Sequence, residues 1–144
     1  MARGQSKQKR QSISFRFDPI TVKRLKDHAA EANAGQTALA ERYIEEGIRS
    51  DEHPLIYFRE GAAGRRPALL GSRLDVAEAI TTIRQNQGSV EEAASYLEIP
   101  VEQLEAAARY YGEYTEEVDA LIERSRAAAE RERGRWARGQ EALA

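Results

Sequence analysis

The 144-residue chain has no cysteine, one tryptophan, one methionine and only two histidines. Without cysteine it holds no disulfide and offers no thiolate, which fits a cytoplasmic protein. It has no apolar run near the length of a membrane span, and its first residues lack the apolar core of a signal peptide. A soluble chain with no membrane partner is expected. Nor is there a glycine-rich phosphate loop at strand–helix spacing; Gly61, Gly64 and Gly71 suit a hairpin turn better. His28 falls in a helical stretch and His53 beside Pro54, with no cysteine or carboxylate constellation to make either a metal ligand. Serine and glutamate are plentiful but have no base partner. An enzyme, a metal site and a cofactor are therefore not expected.

What is present is charge, and it is segregated. The net charge is −2, yet residues 1–26 hold eight Lys/Arg against the single acid Asp18. Residues 51–123 hold six Lys/Arg against fifteen Asp/Glu, a net of −9, and residues 124–144 return to six Arg against three Glu. Such asymmetry points to a polyanion partner at the front and a different partner behind; solvated helix faces are the plainer account.

Residues 1–10 have no apolar period and read as a flexible basic arm. In "SISFRFDP", residues 12–19, apolar Ile13, Phe15 and Phe17 alternate with Ser12, Ser14 and Arg16. That is the period of a strand with one buried and one wet face. Asp18 before Pro19 is a helix start, and Val22, Leu25, Ala29 and Ala32 stripe a first helix over about 20–32. "NAGQT" stops it, and Thr37 is the expected N-cap of a second helix over 38–49, with Leu39, Ala40, Tyr43, Ile44 and Ile48 on its buried side. After the break at 50–54, "LIYF" and "PALL" read as a short hairpin. Helices follow over 75–86, then 90–97 with a Ser89/Glu92 capping box, then from Pro100, and finally a long helix capped by Thr115. No internal repeat is evident. The expected organisation is mainly α: a basic arm (1–10), a strand–helix–helix domain (11–50), an acidic helical domain with a small hairpin (51–122), and an Arg/Trp tail (123–144) on the final helix.

The segment "SISFRFDPITVKRLKDHAAEANAGQTALAERYIEEGIR" resembles the ribbon-helix-helix DNA-binding family over its whole length. The resemblance implies an intertwined homodimer in which two copies of the strand pair antiparallel, so that each satisfies the other's backbone. Ile13, Phe15, Phe17, Leu25, Leu39, Tyr43 and Ile44 would form the shared core. Ser12, Ser14 and Arg16 would face the major groove and read base edges, Arg16 favouring guanine. Phosphates would be held by Gln36 and Thr37 at the second helix start and by Lys7, Lys9 and Arg10 of the arm. Lys23, Arg24 and Lys26 suit a solvated helix face.

"HPLIYF…GRRPALLGSRLDV" with "GSVEEAASYLEIPVEQLEAAARYYGEYTEEVDALI" looks like a small bacterial helix-turn-helix family, commonly antitoxin-like and encoded beside PIN-domain-like toxins. A DNA-reading second helix here should present basic or amide side chains. This one offers Glu102, Gln103 and Glu105 beside Glu91, Glu92 and Glu98, which a phosphate backbone repels; a protein-contact or dimerisation module is the better fit. Arg65, Arg66 and Arg73 read as exposed arginines of a hairpin. In the tail, Arg133, Arg135, Trp136 and Arg138 are candidates for meeting an acidic toxin surface, a frayed helix end being the alternative. Together these features predict a homodimeric operator-binding regulator of the antitoxin type with a PIN-like ribonuclease partner. The alternatives are a dimeric scaffold or a stand-alone repressor.

Overall fold

The structure, a computed structural model, describes residues 9–144. Six helices and one hairpin follow in order: α1 (Pro19–Glu31), α2 (Gln36–Glu52), β1 (Ile56–Arg59), β2 (Arg66–Leu69), α3 (Val76–Gln85), α4 (Val90–Leu97), α5 (Val101–Glu113) and α6 (Thr115–Leu143). The chain divides between Glu52 and His53 into two compact units.

In the first unit the Asp18 carboxylate accepts from the Ile20 amide at 2.9 Å, and Pro19 fills the first helical position, where no amide proton is needed. Beyond Ala32 the chain turns through Asn33, at φ 50°, and the Ala34 amide donates back to the Ala29 carbonyl at 2.9 Å. This tight left-handed turn lets the second helix begin early. It starts at Gln36, with the Gly35 carbonyl accepting from Leu39, so Thr37 lies inside the first turn rather than capping it. Only two apolar side chains of the two helices, Ala29 and Leu39, are buried. Residues 9–18 run alongside without joining a strand ladder.

The second unit is built on a better core. β1 and β2 pair antiparallel with Ile56 opposite Leu69 and Arg59 opposite Arg66, closed by reciprocal Gly61–Gly64 hydrogen bonds. The apolar stripes of α3 (Val76, Ala79, Ile80, Ile83), α4 (Ala93, Ala94) and α5 (Leu104, Ala107) converge with Val118 of α6 around Tyr110. Capping follows the local chemistry. Asp75 accepts from the Glu78 amide at 2.8 Å and Ser89 from the Glu92 amide at 3.1 Å, and Glu98, at φ 56°, closes α4. Only Tyr114 separates α5 from α6. The Thr115 hydroxyl therefore donates back to the Tyr111 carbonyl at 2.7 Å and does not cap α6. Among the described residues no helix is long and apolar enough to cross a membrane.

Candidate nucleic-acid interface

Ser12, Ser14 and Arg16 lie on the extended segment before α1, all exposed. The apolar members of the alternation are exposed as well: Ile13 by 75%, Phe15 by 57% and Phe17 by 58%. The Phe15 and Phe17 rings lie 6.0 Å apart, as side chains two residues apart in extended chain do. They line an open groove of about 560 Å³ with Val22 and Leu25 of α1 and Tyr43 and Ile44 of α2. Of the seven side chains expected in a shared core, only Leu39 is buried and Leu25 half-buried within one copy. Six large apolar groups thus remain wholly or partly open on a unit this small.

Three of the five phosphate candidates, Arg10, Gln36 and Thr37, gather on one side of the same unit. Arg10, Ser12, Gln36 and Thr37 border a common groove where the extended segment crosses the start of α2. Arg10 Nη2 lies 2.8 Å from both carboxylate oxygens of Glu41, a contact that charge patterning alone does not reveal. An exposed pair like this is worth under about 1 kcal/mol, so it places Arg10 beside the helix start without neutralising it irreversibly. Lys9 is exposed, and Lys7 lies outside the described residues. Lys23 pairs with Asp27 one turn along α1.

In the second unit Glu91 and Glu92 of α4, Glu98 in the turn after it, and Glu102 and Glu105 of α5 are all exposed, an acidic surface hostile to phosphate. Arg66, expected on the surface of the hairpin, is instead folded inward. Its Nη1 donates to Asp75 at 2.9 Å, where the carboxylate is 1% exposed, and Arg65 pairs with Glu60. Facing strand and cap residues make this pair, and nothing in local sequence marks it. His53 is also not isolated. It is buried edge-on against Tyr110, with Nε2 3.3 Å from Glu113.

Three further residues tie α3, α5 and α6 together. Arg84 donates to the Tyr111 hydroxyl and, at 2.9 Å, to Asp119; Tyr111 donates to the same carboxylate oxygen at 2.9 Å. The Arg84 hydrogen bond holds the Asp119 carboxyl below its ordinary range. Burial, with the hydrogen bond to Asp119, pushes the Tyr111 phenol up.

The tail candidates lie on the exposed part of α6 but do not converge. At about 100° per residue, Arg133 and Trp136 share one face, while Arg135 and Arg138 share another. Arg135 pairs with Glu132, and Trp136 is 69% exposed. No family model, no curated protein and no solved structure matches the chain.

Proposed function

We propose that the chain is a homodimeric, sequence-specific DNA-binding regulator, with residues 11–50 forming a ribbon-helix-helix domain together with a second copy. One observation carries the reading. The alternating segment before α1 leaves Ile13, Phe15 and Phe17 open beside the equally open Tyr43 and Ile44. A lone extended segment has no backbone partner, and an apolar face of this size on a small unit calls for cover. A second copy supplies both, because antiparallel pairing across a two-fold axis satisfies the two backbones and joins the two apolar faces. Ser12, Ser14 and Arg16 then project from a two-stranded ribbon of the width a major groove admits. The two-fold axis calls for a palindromic or repeated site.

Equilibrium binding to the DNA upstream of the gene tests this. Arg16→Ala should cost roughly 1–3 kcal/mol and relax base preference, whereas Lys9→Ala should weaken all sequences alike. An Arg16→Ala chain with unaltered preference refutes the reading of bases by this segment.

A second reading, that the regulator is also the antitoxin of a PIN-like ribonuclease, is favoured by Trp136. A large aromatic exposed on a helix face is the kind of anchor a partner protein buries. Trp136→Ala should abolish co-purification with the neighbouring gene product and leave duplex binding intact. A complex that survives the substitution places the contact elsewhere.

A further inference from the structure

The last buried residue of α6 is Leu121, so at 1.5 Å per residue about 33 Å of helix runs on without a buried side chain. No domain-scale repeat is present, but two successive heptads of this part correspond. "ALIERSR" (120–126) is followed directly by "AAAERER" (127–133), a heptad in which Ala, Glu and Arg recur at fixed places. Arg124 and Arg131 occupy the same heptad position, and Arg138 continues it. With Arg135 they lie within roughly 60° of arc and span about 21 Å of helix. All four are exposed.

Of the acids along this part of the helix, only Glu132 reaches an arginine of the stripe, Arg135. Glu123 and Glu130 hold Arg126 from either side, at 2.6 and 2.7 Å, and Glu132 holds Arg135. Arg124, Arg131 and Arg138 make no ion pair with any described residue. Between the arginines stand only small residues such as Ala127 and Ala128, and Trp136 lies on a different face.

We infer that this arginine stripe is a second contact for the phosphate backbone of duplex DNA, one that adds affinity without reading sequence. Protein interfaces do use arginine, but they set it among aromatic and apolar anchors at their centres, whereas this face carries guanidinium and small side chains and no such anchor. Guanidinium forks match phosphate oxygens in pairs. A duplex presents one charge per ~1.7 Å of axis, so a stripe of this length meets about a dozen. The inference rests on the DNA-binding reading of the first unit.

The probe is a mixed-sequence duplex of about 40 base pairs, titrated with the full chain between about 50 and 200 mM salt. Arg124→Gln/Arg131→Gln/Arg138→Gln keeps helix-forming side chains, and far-UV circular dichroism verifies that α6 persists. Three lost phosphate contacts make the log–log salt slope shallower by about 2.7, so over that fourfold range the unaltered chain loses roughly 40-fold more affinity than the variant. A triple variant with the original slope overturns the stripe alone, since Arg16→Ala still reports on the ribbon. Poly-glutamate competing as well as the duplex also overturns it, by assigning the stripe to protein carboxylates. An unaltered chain that binds no duplex overturns the stripe and the DNA reading together.

Discussion

Phe15 is the sharpest place to test the shared core. Its side chain is 57% exposed in one copy, beside Phe17 and the open faces of Tyr43 and Ile44. An aromatic side chain carries about 150–250 Å², so about 100 Å² of Phe15 waits to be covered in each copy. At about 25 cal/mol per Å² its burial is worth ~2.5 kcal/mol per chain, or ~5 for a symmetric pair. Phe15→Ser removes that contribution, and at ~1.4 kcal/mol per decade the dimer dissociation constant should rise by between three and four decades. Ser14→Ala, on the opposite side of the same segment, should leave it unaltered. Sedimentation equilibrium over a range of concentrations measures both variants, and far-UV circular dichroism follows the helices of the first unit. That unit buries only Ala29 and Leu39 from its two helices, so its helicity should fall as the dimer dissociates. A Phe15→Ser chain that dimerises as tightly as the original refutes the shared core. So does an original chain that stays monomeric with both helices intact.

Two predictions concern the second unit. Asp75→Ala removes the α3 cap and leaves the inward-folded Arg66 without its carboxylate, so chemical denaturation should show a loss of about 3–5 kcal/mol. Asp75→Asn retains the cap acceptor and should lose less; equal losses would mean that the cap contributes nothing beyond the ion pair. Asp119 titrates below its ordinary range in the fold because Arg84 donates to it. Its contribution is therefore complete above the ordinary carboxylate pKa and disappears as pH falls through the lower folded value. Asp119→Asn should flatten that acid limb of the stability–pH curve, and an unaltered limb would show that the contact carries no net stability.

Much of the architecture is legible because it is local. Asp18–Pro19, Ser89 with Glu92, and the left-handed turn after α1 act over three or four positions, and periodicity finds the helices between them, whereas the left-handed Glu98 that closes α4 carries no such signal. The hairpin is equally local, its two apolar runs separated by a glycine-rich turn. Thr37 and Thr115 misled for a shared reason. Each is a good capping residue, but the preceding turn ends so tightly that the helix has already begun or the hydroxyl finds a carbonyl one turn back. Contacts between distant residues leave no such local mark. Arg66 with Asp75, His53 with Glu113, and Arg84 with Asp119 are made by packing, and only the last is held largely in solvent.

The arginines of α6 show a third case, in which the information is present in the sequence but indexed by the wrong property. Proximity along the chain groups Arg133, Arg135, Trp136 and Arg138, because they fall within six residues. A helix advances about 100° per residue, so neighbours in sequence diverge and residues seven apart nearly align. Regrouped by angle, Arg135 and Arg138 join Arg124 and Arg131, and Trp136 keeps Arg133. One basic cluster becomes two surfaces of different chemistry, one charged throughout and one built on an aromatic. A single partner engaging both would have to wrap the helix. Two partners, a polyanion on one face and a protein on the other, need not exclude each other. Loss of salt-dependent duplex binding and loss of protein co-purification should therefore separate between the Arg124/Arg131/Arg138 variant and the Trp136 variant. A variant on either face that abolishes both would mean one surface, and one partner, after all.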